Sequence, residues 1–349
     1  MANIVVFGGP QQCSYRVRNP WNQPLGRISE YLEPFEIPSS YYVEAEGAQL
    51  VSRQLVGVEH KHKLIEETFP FPKSTWEKHL KLSVLSCLPS SQSVETALCC
   101  LVSPHHLHDS YFHWFLDYLP RLFAAEQYTT LTGHPLTVLV PTNLNEWQSA
   151  SLSRLGYGAD SLLPFNPGER FTNIKTRCLI ASRSHRSQRA PGVPPDAISP
   201  ASVAELKTRL SSTPPALGGR DLPKKLFLTR RDASSRRLIN EHEVLSLLSG
   251  HGFEAVSLET VPLSDQIELF TNATHVVAVH GAGLTNLIHS HNASVLEIHS
   301  LNHGIRPEFF QIASLNHCQY FFYACRSQGI ANDVYIDTTI INEFIAATC

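Results

Sequence analysis

The second half of the chain alternates short apolar runs with longer stretches whose apolar positions recur every three or four residues. The runs favour strands and the stretches favour amphipathic helices. The predicted strands are KLFLTR (225–230), EAVSL (254–258), HVVAV (275–279), SVLEI (294–298) and YFFY (320–323). The predicted helices are NEHEVLSLLSG (240–250), SDQIELFTN (264–272), one beginning near Leu284, and PEFFQIASL (307–315). This alternation predicts a parallel sheet covered on both faces, which is a Rossmann-like domain.

The first half of the chain has a weaker pattern. Residues 1–90 contain short β-like segments without a strong period, which predicts a mixed and partly antiparallel region. These segments are YYVEAEG (41–47), QLVSRQLVGV (49–58) and KLSVLSCL (81–88). Beyond residue 96 the α/β alternation returns. It predicts the strands ALCCLV (97–102) and LTVLV (136–140), and helices near 110–128 and over NEWQSASLSRLG (145–156).

Residues 183–224 separate the two halves. They are rich in Pro, Ser, Gly and Arg, and they enclose one stretch with helical spacing, ASVAELKTRL (201–210). This composition is typical of a linker that carries a single helix. We therefore predict an α/β chain with two domains facing a cleft. The first spans residues 1–182 with an irregular β-rich start, and the second is Rossmann-like over residues 225–349.

Composition narrows the range of functions. The chain has 349 residues, 42% of them hydrophobic, which is enough for two buried cores. With 28 basic and 31 acidic side chains, the net charge is -3 and favours neither nucleic acid nor an anionic membrane as partner. The N-terminal sequence lacks the features of a secretory signal, and no apolar run is long enough to span a membrane. We expect a cytoplasmic protein whose eight scattered cysteines are structural.

The segment VAVHGAGLTNLIHS (277–290) places a glycine-rich turn between a predicted strand and a predicted helix. Free backbone N–H groups and the positive end of a helix dipole at this edge of a parallel sheet attract anions. Glycines let the backbone approach a ligand closely, and a hydroxyl or amide in the first helical turn reaches a phosphate or a sugar. The candidate residues are His280, Gly281, Ala282, Gly283, Thr285 and Asn286. An ordinary packing turn is the alternative.

Four arginines follow the first predicted strand of the same domain, in LTRRDASSRRLIN. We expect Arg230, Arg231, Arg236 and Arg237 to project from the same sheet edge as the glycine turn, where a guanidinium binds phosphate well. Glu297 ends the predicted strand SVLEI, and its carboxylate can accept hydrogen bonds from a ribose diol. The alternatives are a solvated basic loop and a surface glutamate.

Three segments, in their order and at their spacing, resemble glycosyltransferase family 61. They are HDSYFHWFLDYLPRLFAAE, KKLFLTRRDASSRRLINEHEV and VPLSDQIELFTNATHVVAVHGAGLTNLIHSHNASVLEI, which together span about residues 100–300. The resemblance implies a GT-B fold and an inverting, metal-independent transfer from a nucleotide sugar. It implies that the C-terminal half binds this donor and that the N-terminal half contacts a glycan or another hydroxyl acceptor. Polysaccharide biosynthesis of the bacterial capsular type is the expected role, with peripheral association with membrane glycan assembly left open.

An inverting transferase needs a base for the acceptor hydroxyl and stabilisation of the departing diphosphate. In DSYFHWFLDYLPRL, a helix with its N-cap at Asp109 or Ser110 places His113, Asp117 and Arg121 on one stripe. His113 can be the base with Asp117 orienting it, or Asp117 can be the base directly. A surface helix with an Asp117–Arg121 ion pair is the alternative. The buried face is predicted to hold Phe112, Leu116, Leu119 and Leu122.

Other chemistries find less support in the sequence. His105, His106, His108 and His113 lack the spacing of a zinc site and have no D-x-D pair beside them, so we expect no metal cofactor. The chain lacks the G-x-S-x-G of a serine hydrolase and the G-x-G-x-x-G of a dinucleotide-dependent oxidoreductase. A nucleotide-binding module without catalysis would keep the glycine turn, but it would need neither His113 nor Asp117.

Overall fold

The structure is a computed structural model that describes residues 2–51, 55–59, 63–68, 92–102, 109–166, 173–182, 190–212 and 222–349. The chain divides into two compact units. The first unit is Met1–Gln12 with Glu36–Ser202, and the second is Cys13–Phe35 with Val203–Cys349. Both units are α/β with parallel strands in their sheets, as the sequence predicts.

The first unit contains a nine-stranded mixed sheet. The strands over this part of the chain are β1 (Asn3–Phe7), β2 (Gln11–Cys13), β3 (Phe35–Ile37), β4 (Ser40–Glu46), β5 (Gln49–Val51), β6 (Val56–Val58), β7 (Leu64–Ile65), β8 (Gln92–Cys100), β9 (Leu136–Pro141), β10 (Leu162–Phe165) and β11 (Asn173–Ala181). Strands β10, β9, β8 and β11 are neighbours in that order and run parallel. Antiparallel pairing of β4 and β5 with β11 extends the sheet, which confirms the mixed character predicted for the start of the chain.

Apolar side chains of this sheet form the core of the first unit. Leu98, Leu139 and Leu179, from three neighbouring parallel strands, are almost completely buried in one cluster. Strands inside a covered sheet bury both faces, which is why the second half of β8 and most of β9 are apolar. The pattern did not predict β10 and β11.

The helices of the first unit connect these strands. They are α1 (Tyr111–His113), a π-helical segment (Trp114–Tyr118), α2 (Pro120–Thr132) and α3 (Glu146–Arg154), with 3-10 turns at Glu66–Thr68 and Ala159–Ser161. Helix α2 ends at Gly133, whose φ of 69° lies in the left-handed region that glycine tolerates best. Helix α3 begins with a capping box formed by Asn145 and Gln148.

The second unit contains the parallel sheet that the sequence predicts. Its strands are β12 (Lys225–Leu228), β13 (Glu254–Val256), β14 (His275–Val279), β15 (Ser294–Ser300), β16 (Gln319–Cys325), β17 (Ser327–Gln328) and β18 (Asp333–Val334). The parallel sheet has the order β13-β12-β14-β15-β16. The helices are α4 (Pro200–Ser211), which begins in the first unit, α5 (Glu241–Ser249), α6 (Leu263–Asn272), α7 (Glu308–Leu315) and α8 (Thr338–Thr348), with 3-10 turns at Gly26–Tyr31, Leu258–Thr260 and Ala282–Ile288.

The early segment Cys13–Phe35 belongs to the second unit, whereas the sequence placed it in the first domain. The backbone N–H of Arg18 donates to Tyr320 O at 3.1 Å, and the Trp21 ring packs on Phe321. Gly26 has a φ of +52° and lies so close to Ile305 that a Cβ would come within 2.8 Å of the Ile305 Cβ. The segment therefore covers strand β16, a long-range contact that local pattern does not reveal.

Some expectations fall on residues that the structure leaves undescribed. The helix predicted within the linker is present as α4, but its flanks at 183–189 and 213–221 lie outside the described residues. The segment KLSVLSCL and the histidines at 105, 106 and 108 also lie outside them. In the part of the chain that the structure describes, no helix is both long and apolar enough to cross a membrane.

Candidate active site

The first group of candidate residues lies in helix α1 and in the π-helical segment Trp114–Tyr118 that follows it. The chain enters the helix at Ser110, which has an extended backbone and accepts a hydrogen bond from the Trp114 N–H. The Leu119 N–H then donates to Trp114 O at 2.9 Å, five residues back, so this turn is a π turn. Pro120, which has no N–H to donate, starts the next helix immediately afterwards. Single π turns of this kind are frequent at functional sites.

His113 and Asp117 form a hydrogen-bonded pair on the partly exposed face of this helix. His113 Nδ1 lies 2.6 Å from Asp117 Oδ2, and the two side chains are 30% and 16% exposed. Among the described residues, His113 Nε2 has no hydrogen-bond partner. The predicted apolar face is confirmed, since Phe112, Leu116, Leu119 and Leu122 are buried. The pair therefore has the geometry of an imidazole that a carboxylate orients.

Arg121 does not form the surface ion pair with Asp117 that was the alternative. Its Nε donates to the backbone oxygen of Asp117 at 3.2 Å, and its Nη1 donates to Cys100 O at 3.1 Å. The guanidinium also lies 4.4 Å from the centre of the Tyr118 ring. Arg121 thus connects the π turn to the end of strand β8.

The glycine turn of the second unit follows strand β14 as predicted, but a 3-10 helix follows it in place of an α-helix. Gly281 has extended backbone, and a Cβ there would collide with the guanidinium of Arg230. A Cβ on Gly283 would come within 2.8 Å of Leu258 Cδ1, so this glycine leaves room for the Leu258 side chain. Because Gly281 has no side chain, the guanidinium of Arg230 can lie against the turn.

Two of the four predicted arginines converge on this turn, and two do not. Arg236 Nη1 donates to His280 O at 3.1 Å, and Arg230 lies against Gly281. Arg231 instead pairs with Glu241 at 3.0 Å, and Arg237 pairs with Asp333 at 2.7 Å. Neither of those two guanidiniums lies at the glycine turn, because a nearby carboxylate holds each of them elsewhere.

Further positive charge gathers beside Arg230 and Arg236. Burial, and then the neighbouring Arg306, lower the pKa of Arg236. Burial, and then Arg236, lower the pKa of Arg230. Among the described residues, no carboxylate lies within ion-pair distance of any of these three guanidiniums. Unpaired like charges held close together are typical of a site for an anion.

Arg306 and its neighbour His303 also belong to this group, although the sequence pattern does not single them out. Both lie in the loop that follows β15, at the same carboxyl edge of the sheet as the glycine turn. The His303 ring centre lies 5.3 Å from that of His280, and burial together with Arg236 lowers the pKa of His303 to about 4. Following the sheet edge one strand further along the chain would have found them.

Glu297 occupies a different place from the one expected. Strand β15 continues to Ser300, so Glu297 lies in its middle and is completely buried. Its Oε1 lies 2.5 Å from His280 Nδ1, and its Oε2 accepts a hydrogen bond from the Tyr320 hydroxyl at 2.6 Å. Both carboxyl oxygens thus have hydrogen-bond partners inside the fold. The structure therefore does not support the predicted contact with a ribose diol.

Electrostatics in this buried group favour neutral side chains. Burial raises the pKa of Glu297, and burial with the nearby arginines lowers the pKa of His280 to about 3. The ligand atoms of His280, Glu297 and His299 lie within 4.8 Å of one another, the only such group in the described parts of the chain. Three adjacent guanidiniums oppose a divalent cation there. Within the fold these three side chains form a hydrogen-bonded group with Tyr320.

Thr285 and Asn286 are both buried in the 3-10 helix after the turn. The Asn286 amide donates to Gln266 Oε1 at 2.9 Å and to Gly283 O at 3.1 Å, so it holds the turn in shape. The Thr285 hydroxyl is buried and has no hydrogen-bond partner among the described residues. It therefore remains a candidate ligand contact, whereas Asn286 supports the turn from inside.

Comparison with known proteins finds a matching family and similar solved structures. A family model described as Glycosyltransferase 61 matches residues 111–296. That range includes the His113–Asp117 pair and the glycine turn, and it ends next to Glu297. A solved structure, E. coli heptosyltransferase WaaC with ADP, is similar with 11% sequence identity and a TM-score of 0.35, covering 72% of this chain and 99% of that one. No curated protein matches the sequence of the chain.

Proposed function

Because the chain belongs to the glycosyltransferase 61 family, we propose that this glycosyltransferase moves a sugar, with inversion, from a nucleotide-sugar donor to a hydroxyl of a glycan or a similar acceptor. The observation that carries this proposal is the group of unpaired cations at the glycine turn. Arg230, Arg236 and Arg306 lie where a parallel sheet presents its carboxyl edge, the usual place for a nucleotide ligand.

The cation cluster supports the donor half of the reaction. A nucleoside diphosphate carries its charge on phosphate oxygens, and guanidiniums donate planar, charge-assisted hydrogen bonds to them. The same charges stabilise the diphosphate as it leaves the sugar, which is the part a divalent ion plays in other transferases. We therefore propose transfer without a metal cofactor, with the unpartnered Thr285 hydroxyl as a further phosphate or ribose contact.

The His113–Asp117 pair supports the acceptor half. In this proposal His113 Nε2 takes the proton of the acceptor hydroxyl while Asp117, 2.6 Å from Nδ1, orients the ring and stabilises the imidazolium. The acceptor oxygen then attacks the anomeric carbon from the face opposite to the diphosphate. For the biological setting we propose polysaccharide biosynthesis in the cytoplasm.

Nucleotide binding by arginine variants tests the donor site. Arg236→Ala and Arg230→Ala should each weaken the binding of a nucleoside diphosphate by about 1.5 to 3 kcal/mol, because each removes a charged hydrogen-bond donor. Arg231→Ala is the matched control, since its side chain is 68% exposed and pairs with Glu241. Isothermal titration calorimetry with UDP, GDP and CMP measures the effect and selects the base. The proposal is wrong if the control loses as much affinity as the two test variants, or if none of these nucleotides binds.

A further inference from the structure

Donor binding by the arginines does not by itself explain why His280 and Glu297 form a buried pair. His280 lies next to the glycine turn and Glu297 lies in the next strand, with Oε1 2.5 Å from His280 Nδ1. The carboxylate is completely buried, and the Tyr320 hydroxyl donates to its second oxygen at 2.6 Å. A completely buried carboxyl group is costly to keep as an anion, because the charge loses its hydration.

The hydrogen bond between the pair fixes which ring nitrogen faces a ligand. Glu297 Oε1 occupies Nδ1, while Nε2 has no hydrogen-bond partner among the described residues and the His280 ring is 8% exposed. If Glu297 keeps its proton and donates it to Nδ1, the neutral imidazole must carry its own proton on Nε2. An Nε2–H is the tautomer that can donate to a phosphate oxygen.

Burial and neighbouring charges together determine the protonation of this pair. The charged and titratable groups around His280 come from the loop after β12, the loop after β15, β15 itself, α7 and β16: Arg230, Arg236, His303, Arg306, Glu297, His299, Glu308 and Tyr320. Three of them are permanent cations, which disfavour an imidazolium in the resting protein. The same cations favour an ionised Glu297, but its complete burial is the larger effect and raises the pKa of the carboxyl group. Both members of the pair are thus driven towards their neutral forms in an empty site, whereas a diphosphate would offset those cations.

We propose that Glu297 stores a proton that it passes through His280 to the departing diphosphate. The inference rests on the proposed transferase function. As the bond between the anomeric carbon and the phosphate oxygen breaks, its electron pair stays on that oxygen. His280 donates the Nε2 proton to the diphosphate, and Glu297 donates its proton to Nδ1. Glu297 ends as a carboxylate that the Tyr320 hydroxyl stabilises, and it regains a proton from solvent after the product leaves.

Glu297→Gln separates this role from simple hydrogen bonding. A glutamine amide can donate to His280 Nδ1 and its oxygen can accept from Tyr320, but it has no proton to give. We expect unchanged nucleotide affinity, and a kcat lower by roughly 100-fold, the usual size of a general-acid contribution. The solvent deuterium isotope effect on kcat should shrink. Glu241→Gln, another buried glutamate of the same unit, should keep the parental kcat.

Nitrogen-15 NMR of histidine-labelled protein tests the resting pair independently of activity. The parent and Glu297→Gln should both show His280 with an unprotonated Nδ1 and a protonated Nε2 near pH 7. A protonated Nδ1 in the parent would mean an ionised Glu297 and would overturn the proposal. Parental kcat in Glu297→Gln would overturn it too, as would loss of activity with a chelator that zinc restores.

The two proposals fail in different ways. If the parent protein releases no nucleoside diphosphate from any donor, the transferase function fails, while the NMR result still reports the tautomer. If transfer proceeds and Glu297→Gln is indistinguishable from the parent, the proton store fails alone.

Discussion

The two histidine–carboxylate pairs share nearly the same hydrogen bond in opposite surroundings. His113 Nδ1 lies 2.6 Å from Asp117, and His280 Nδ1 lies 2.5 Å from Glu297. The first pair lies on a helix, with its side chains 30% and 16% exposed, and the second lies in a parallel sheet, 10% and 0% exposed. Solvent can stabilise charge on the first pair, whereas burial and nearby cations disfavour an imidazolium in the second. Contact geometry alone therefore does not reveal where the proton lies.

The largest effect should come from breaking the exposed pair. His113→Ala should lower kcat by roughly 100-fold or more, because it removes the group that takes the acceptor proton. Nucleotide affinity should stay close to the parental value, since the donor contacts are proposed in the other unit. Steady-state kinetics with calorimetry measures both quantities.

Asp117→Asn decides which member of that pair is the base. If Asp117 orients His113, the variant should keep measurable transfer. If Asp117 is the base, transfer should vanish and His113→Ala should be the milder change. Parental rates in both variants would show that this helix has only a packing role.

The buried pair should contribute more to the free energy of unfolding than the exposed pair. Glu297→Ala leaves His280 Nδ1 and the Tyr320 hydroxyl without their partner inside the fold, which should cost about 2 kcal/mol or more of unfolding free energy. Asp117→Ala should cost less than about 1 kcal/mol, because solvent can reach its partner. Urea denaturation of the two variants measures the difference. Equal losses would contradict the contrast in burial.

The buried histidines should also make stability depend on pH. Burial lowers the pKa of His280 to about 3 and that of His299 to about 4, so the unfolded chain binds their protons first as the pH falls. Unfolding free energy should therefore fall as the pH drops from about 6.5, the usual histidine pKa, towards 4. His299→Gln should reduce the slope by at most about 1.4 kcal/mol per pH unit. An unchanged slope would contradict a neutral His299.

The smallest expected effect is that of a chelator. The proposed transfer draws on arginines for charge stabilisation, so EDTA should leave kcat unchanged within error. Inhibition that added metal reverses would show that the group of His280, Glu297 and His299 binds an ion after all.

Much of the second unit could be predicted from the sequence. The five strands of its parallel sheet and most of its helices follow the predicted order, because each has a strong local period. After the glycine turn the predicted helix is present as a 3-10 helix, Ala282–Ile288, and not as an α-helix. The first unit was harder to predict, because the sequences of β10 and β11 lack a clear alternation of apolar and polar residues. These strands obtain their stability from the neighbouring strands.

The site was predictable in position more than in detail. The sequence indicated the right sheet edge, but residue spacing cannot tell which arginines have acidic partners far along the chain. Asp333 lies about 100 residues beyond Arg237, and only the folded structure shows the pair. Glu297 was placed at a strand end because the apolar run stops there, yet strand β15 continues through buried polar residues.

The order of synthesis gives the segment Cys13–Phe35 a further significance. It leaves the ribosome well before the strand that it covers, β16, which follows roughly 300 residues later. At about 5 to 20 residues per second, Trp21 must wait roughly 15 to 60 s for Phe321 to be made. During that interval its apolar surface is available to chaperones and to wrong partners. The second unit can therefore close only after strand β16 has been translated.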